Sequence, residues 1–341
     1  MKKTTLKLLP LCILVLTALF LNGCSKGGKN AETTVRLNEV VHSIFYAPQY
    51  AAIANGYFTD EGIKIELEAG QGADKSMTAL LSANADIALL GTEAGIYVYN
   101  EGREDFAVAF AQLTQRAGNF LVAREQNGDF KWESLRGKTI IGGRAGGMPQ
   151  MVLEYVLKQK GIDFKNGDVE ILTNLQYTST AGAFAGGVGD YTAEFDPSAY
   201  ALEQVGAGTV VSSLGTESGS LPYTVYMATK SYLKANADTV QRFTNAVYRG
   251  QLWVAAHTAE EVAKVIAEYF PENSLDDLTV MVGRYKAIEA WRSDPAFDAD
   301  AFTRIQDIME QGGELSARVP FNKLIDNSYA EKAVKTVNAK Q

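Results

Sequence analysis

Two stretches of the chain repeat one pattern at a fixed distance. Ala79-Leu80-Leu81-Ser82-Ala83-Asn84-Ala85-Asp86-Ile87 and Ala183-Phe184-Ala185-Gly186-Gly187-Val188-Gly189-Asp190-Tyr191 stand 104 residues apart. Each reads as the end of a helix, a small residue, an aspartate and the start of a strand. Each strand then runs into a loop, Gly91-Thr92-Glu93 in the first copy and Phe195-Asp196-Pro197 in the second. Two similar halves would put these loops at equivalent strand ends, and in open α/β sheets ligands sit in the crevice beyond the carboxyl ends of the strands. Chance likeness between two Gly/Ala-rich helices is the competing explanation.

The rest of the pattern agrees with an α/β fold of largely parallel strands, because short apolar runs alternate with glycine-punctuated helical periods. Strands are predicted over Val35–Val41, Ile63–Leu67, Asp86–Leu90, Phe106–Gln112 and Lys138–Ile141. Pro48 and Pro149 suit the first turns of two helices. On the second of these, Val152, Tyr155, Val156 and Gln159 share a face. A further helix is predicted over 238–257, with Val240, Phe243, Val247 and Val254 at helical spacing, and others near 259–269, 275–290 and 299–311. This last third carries no chemical motif and reads as scaffold packed against one lobe.

Composition narrows the chemistry. Among 341 residues there are two histidines and two cysteines, which nearly excludes a zinc cluster, a disulfide framework or a Cys–His nucleophile pair. No metal or cofactor site is expected. The formal charge of −8 argues against a nucleic-acid surface, which needs a basic stripe. G-x-x-x-x-G-K-[ST], G-x-G-x-x-G, H-E-x-x-H and G-x-S-x-G are all absent. His257 ends a predicted helix, where a histidine commonly caps carbonyls. His42, at a strand end, is the histidine that could lie near a site, and with Glu93 or Glu194 it forms the sole plausible set for an enzyme. A binding role, not catalysis, is the expectation.

The first residues carry an address. Lys2, Lys3 and Lys7 precede the nearly continuous apolar run Leu8–Leu21, too short for the ~20 residues that span a bilayer and suited to a signal peptide. The run ends at Leu21-Asn22-Gly23-Cys24, which resembles the lipobox of bacterial lipoproteins. That resemblance implies cleavage after residue 23 and acylation of Cys24, palmitate included, with 24–33 as a flexible tether. Removal of 1–23 leaves 29 basic and 40 acidic side chains, a net −11, with Cys24 as the last cysteine. The implied location is the extracytoplasmic face of the cell membrane, held by lipid.

The segment from Tyr46-Ala47-Pro48-Gln49-Tyr50-Ala51-Ala52 through Asn55-Gly56-Tyr57-Phe58-Thr59-Asp60-Glu61-Gly62-Ile63-Lys64-Ile65-Glu66-Leu67 resembles the A-P-x-x-x-A-x-x-x-G-[YF]-F-x-x-[EQ]-G-[IL] opening of a family of ABC-importer substrate-binding proteins. Members of this branch take up sulfonates, taurine, nitrate or thiamine-pyrimidine precursors. Leu80–Ala88, Leu135–Ile140 and Gly186–Tyr191 are weaker landmarks of the same family, and the likeness runs over about 34–320. It implies a two-lobed periplasmic-binding-protein fold of the second type with the ligand cleft between the lobes. Lobe 1 would be 34–118 with 222–320, and lobe 2 would be 119–221, with crossovers near Gln115–Asn119 and Pro222–Tyr226. It also implies a monomer that closes on a small molecule and hands it to a permease and ATPase complex; a non-transporting surface sensor is the other possibility.

Strand-end loops at 42–46, 71–74, 91–93, 143–148, 194–196 and 220–223 then supply the candidate ligand-binding residues. These are His42, Phe45, Tyr46, Gln71, Thr92, Glu93, Arg116, Arg144, Gly146, Tyr191, Glu194, Phe195 and Tyr223. Helices starting near Pro48, Asp74 and Pro149 are expected to aim backbone N–H groups into the crevice. Phe45, Tyr46, Tyr191, Phe195 and Tyr223 are expected to converge there. Glu93 and Glu194, with Asp196 nearby, favour N–H groups of an aromatic or amino-bearing heterocycle such as a pyrimidine precursor. Arg116 and Arg144 keep a sulfonate, taurine or nitrate anion as the alternative. Two departures from the pyrimidine branch stand out. Glu39-Val40-Val41-His42-Ser43 replaces its Trp-Pro-Asn stretch, and the cysteine cluster of related pyrimidine-synthesising proteins is missing, so synthesis is rejected.

Overall fold

The computed structural model describes residues 32–125 and 128–339; the predicted signal peptide, Cys24 and nearly all of the tether lie outside them. Thr33–Gln341 is one compact unit. Its described residues hold ten strands: β1 Thr33–Glu39, β2 Ile63–Ala69, β3 Ile87–Gly91, β4 Ala107–Thr114, β5 Phe120–Ala123, β6 Thr139–Ile141, β7 Glu170–Leu172, β8 Tyr191–Glu194, β9 Thr209–Ser213 and β10 Thr224–Thr229.

These strands form two five-stranded sheets, ordered β2-β1-β3-β10-β4 and β7-β6-β8-β5-β9. In the first, β1 runs parallel to β2 and β3, while β10 is antiparallel to β3 and β4. In the second, β6 runs parallel to β7 and β8, while β5 is antiparallel to β8 and β9. With the antiparallel strand set aside, both sheets run second-first-third-fourth in chain order, and the antiparallel strand takes the same fourth place in each. Each sheet takes its single antiparallel strand from the segment that arrives from the other sheet: β5 follows β4, and β10 follows β9.

The 104-residue repeat has a structural counterpart. The helix Ala73–Leu81 precedes β3, and the helix Tyr177–Ala185 precedes β8; both helix starts and both strand starts keep that offset. The repeated aspartates do the same job in each copy. Asp86 Oδ2 accepts the N–H of Arg36 at 2.9 Å, and Asp190 Oδ2 accepts the N–H of Thr139 at 2.9 Å, each stitching the strand entry to its parallel neighbour.

β4 is buried along its whole length although it is an edge strand. Its apolar run has no solvated face because the helices Ala237–Ala256 and Ser328–Asn338 cover it, and a bridge from Ala109 to Ile325 guards the edge. Val240, Phe243, Val247 and Val254 all point into the core from the first of these helices. The expectation that the C-terminal third packs against one lobe alone is corrected here. The helix Ala299–Gly312 packs on Met148–Gln159, which flanks the second sheet, as well as on Thr92–Asn100 of the first. Gly312 supplies the close fit, since a Cβ there would lie 3.4 Å from Met151 Cγ.

Gly250 sets the approach of two helices. A Cβ on it would fall 2.3 Å from the Pro48 carbonyl oxygen and 2.8 Å from Ala52 Cβ. Gly250→Ala is therefore expected to destabilise the unit by about 1–3 kcal/mol through overpacking, outweighing the ~1 kcal/mol gain in helix propensity. Urea denaturation checks this; a variant as stable as the parent would show that the helices separate freely.

Candidate functional site

A cavity of about 110 Å³ lies at the carboxyl ends of the parallel strands of both sheets. From the first sheet come Val40 and Val41 after β1, Tyr46 from the turn Ile44–Tyr46, Gly72 and Ala73 at a helix start, and Gly91 and Glu93 after β3. The second sheet contributes Gly143, Arg144, Gly147, Met148 and Pro149 after β6, Tyr177 and Thr180 from a helix, Ala193 in β8 and Phe195 just after it. Tyr223 and Thr224, where the chain enters β10, complete the wall. Most of this lining is aromatic or aliphatic.

Glu93 dominates the electrostatics. It is the second residue of the helix Thr92–Asn100 and is 3% exposed, with its carboxylate folded back over Gly91. A Cβ at Gly91 would lie 2.0 Å from Glu93 Oε2, so any side chain there would displace the carboxylate. Burial pushes the pKa of Glu93 up to about 7, while the amides of Glu93, Ala94 and Met148 and the Arg144 guanidinium pull the other way. Those amides open two helices, one from each sheet, so their positive ends already face a negative group of the protein itself. Oε2 nevertheless accepts no hydrogen bond, and the buried Tyr223 hydroxyl also lacks a partner. Such atoms are costly unless something else satisfies them.

Arg144 is the one basic side chain in the lining. It is partly exposed, with Nε 4.0 Å from Asp74 Oδ1 across the cleft. Phe45 stands behind the aromatic wall, its ring centroid 5.5 Å from Tyr46, 5.6 Å from Phe195 and 5.8 Å from Tyr223. Tyr177 meets Phe195 edge-on at 5.8 Å.

Of the candidate residues, Tyr46, Glu93, Arg144, Phe195 and Tyr223 come together on the lining; the others sit elsewhere. His42 turns away, its Nδ1 2.9 Å from Glu39 Oε1 and its Nε2 2.7 Å from the Tyr269 carbonyl, so no pairing with Glu93 or Glu194 forms. Gln71 is exposed at the edge of a helix start whose next two residues do line the cavity. Thr92 is buried and donates to the Pro222 carbonyl at 2.6 Å, and Arg116 pairs with Glu289. Gly146 lies beside the lining rather than in it. Tyr191 begins β8 and so lies at the far end of the strand, beside Phe130 and Ser134. Glu194 falls on the opposite face of β8 from Ala193 and Phe195, as strand alternation requires. There it accepts hydrogen bonds from Thr192 and Thr180, and burial raises its pKa to about 7. Asp196, raised by burial to about 6, faces Arg284 instead.

The helix starting near Pro48 also does not reach the cavity; Ala73, Glu93, Met148 and Tyr177 mark the helix starts that do. Tyr177, Met148, Val40 and Val41 were not among the candidates. The repeat could have found Tyr177, since it stands 104 residues after the lining residue Ala73. Among the described residues, no group of three or more His, Cys, Asp or Glu could hold a metal, and no helix is long and apolar enough to cross a membrane.

Residues 44–261 match the NMT1/THI5-like family. The chain belongs to that family. Over 300 residues it is 44% identical to the "Putative binding protein YtlA" of Bacillus subtilis (strain 168), covering 88% of this chain and 90% of that one. The two-lobed periplasmic-binding-protein fold recurs in solved structures of low identity. One is the alkanesulfonate-binding protein SsuA from Xanthomonas axonopodis pv. citri bound to MOPS, with a TM-score of 0.69 at 16% identity, covering 89% of this chain and 100% of that one. Another is the periplasmic nitrate-binding protein NrtA from Synechocystis PCC 6803, with a TM-score of 0.69 at 14% identity, covering 90% and 89%.

The Glu93 carboxyl is more basic in this NMT1/THI5-like protein than in an unfolded chain, which fixes the sign of its pH dependence. Its stabilising contribution is full below the unfolded value and is lost as pH rises through about 7. The shift corresponds to a contribution on the order of 3 kcal/mol. Glu93→Gln is expected to gain stability relative to the parent between pH 5 and pH 8. Urea denaturation at both pH values tests this, and an unchanged difference between the two proteins would contradict it.

Proposed function

We propose that this protein is the solute-capturing subunit of an ABC importer. It takes a small aromatic or amino-bearing heterocycle, such as a pyrimidine precursor, into the Glu93 cavity, closes its two lobes over it and delivers it to a permease and ATPase complex. The observation that carries the ligand class is the buried Glu93 carboxylate with an unpartnered Oε2 among Tyr46, Tyr177, Phe195 and Tyr223. A ring N–H or amino group supplies the missing donor, and the aromatic walls stack on the ring. A simple anion is disfavoured because the helix N-termini it would use already face Glu93. Arg144 in the lining favours the second reading, a sulfonate- or nitrate-type anion.

An N–H donor bonds the ionised Glu93 carboxylate more strongly than the neutral acid, so capture near pH 7 releases a proton and affinity rises from pH 6 to pH 8. Calorimetry on the unit lacking residues 1–24 is expected to show binding of 4-aminopyrimidine with a buffer-dependent enthalpy. Glu93→Gln should weaken it at least about 10-fold, roughly the 1.4 kcal/mol of one charged hydrogen bond. A response to taurine with none to aminopyrimidines or flavins overturns the heterocycle assignment.

The protein works as a monomer tethered through acylated Cys24 to the extracytoplasmic face of the membrane. The spacing of Gly23-Cys24 after the apolar run supports the tether. Cys24→Ser is expected to move the exported chain from the membrane to the soluble fraction, scored by fractionation and metabolic palmitate labelling. Equal membrane retention of both forms would remove the anchor from the picture.

A further inference from the structure

The loop after β6 supplies Gly143, Arg144 and Gly147 to the cavity, but its middle residue, Gly146, is held from outside. The Gly146 carbonyl accepts the hydroxyl of Tyr97 at 2.9 Å, and the Gly146 N–H donates to Gln150 Oε1 at 2.9 Å. Gln150 in turn donates to Glu154 one turn further along the same helix, a residue 9% exposed. Both backbone polar groups of one residue are thus satisfied, one by each sheet's helices. Tyr97 belongs to Thr92–Asn100 of the first sheet, the helix that also carries Glu93. Gln150 belongs to Met148–Gln159 of the second.

Gly146 has φ +72°, and a Cβ there would come within 3.4 Å of Glu314 Oε2 and 3.8 Å of Tyr97 Oη. Only glycine sits there without strain. The Tyr97 oxygen also lies 3.8 Å from Met151 Sδ. No backbone joins the two sheets at this point; the chain crosses between them at 115–119 and between β9 and β10. The Tyr97 hydrogen bond therefore exists only while the lobes are together.

We propose that Tyr97 is a closure latch, a positioning residue that never touches the solute. It stabilises the closed arrangement by fixing the Arg144 loop over the cavity, with Gln150 and Glu154 holding that loop in register from its own lobe. The latch rests on taking this cavity as the capture site, yet it makes a demand of its own: the ligand-free protein must populate the closed state less without the Tyr97 hydroxyl. A ligand can shift such an equilibrium only by its differential affinity for the two states, so the latch sets the starting ratio that every solute works against.

Cys24→Ser leaves the chain beyond the predicted signal without a cysteine. Spin labels can then be placed at Lys75→Cys and Ser179→Cys, exposed positions on the two helices that flank the cavity from opposite sheets. Electron–electron resonance distances, measured without ligand, are expected to show a closed-to-open ratio about 2- to 12-fold lower in Tyr97→Phe than in the parent, the equivalent of one net hydrogen bond. Gly146→Ala, which strains the φ +72° backbone that presents the accepting carbonyl, should shift the distances in the same direction while circular dichroism melts confirm both variants folded. Distance distributions that match the parent in both variants overturn the latch. That result is independent of whether aminopyrimidines bind, so the two proposals fail separately.

Discussion

A carboxylate 3% exposed to solvent is an expensive thing to build, and the cavity is arranged around making it tolerable. Glu93 can lie back over its own helix only because Gly91 has no side chain. The amides opening the helices at Thr92 and Met148 meet over it, one from each sheet. Consequently the two halves of the molecule converge on a single charge. The helix N-termini that would make a generic anion site are committed, and the remaining demand is for a hydrogen-bond donor.

The same scaffold occurs in an alkanesulfonate-binding and a nitrate-binding protein. Here a buried acid, Glu93, stands among those amides at the ends of the strands. A fold hosts many chemistries; the chemistry is decided by a few side chains at the strand ends.

Much of the architecture was legible because it is written locally. The Ala79–Ile87 and Ala183–Tyr191 patterns mark equivalent helix–strand joints, and the spacing of Val240, Phe243, Val247 and Val254 marks a buried helix face. Glu93, Phe195 and Tyr223 were accessible by the rule that ligands sit beyond strand ends. Glu194 misled because strand alternation puts it on the far face of β8, one residue from a lining position. Tyr191 misled because it starts the strand rather than ends it. What stayed hidden depends on distance in sequence: the indole of Trp291 donating to the Phe45 carbonyl at 2.8 Å joins residues 246 apart. Met148 reaches the Glu93 carboxylate from the other sheet in the same way. No local pattern encodes such meetings.

The exchange of antiparallel strands has a bearing on how the chain comes into being. β10 lies between β3 and β4, so the first sheet has a vacant slot until residues 224–229 have been made. The second sheet, whose strands all fall within 120–213, can be completed earlier. A nascent chain therefore carries a half-built N-terminal sheet for most of its synthesis, and the non-local pairing that finishes it is intrinsically slow. That delay keeps the first sheet open while the chain is being made. The topology that makes a two-lobed trap also postpones premature collapse, and exposes it to aggregation on the way if nothing shields the open edges of β3 and β4.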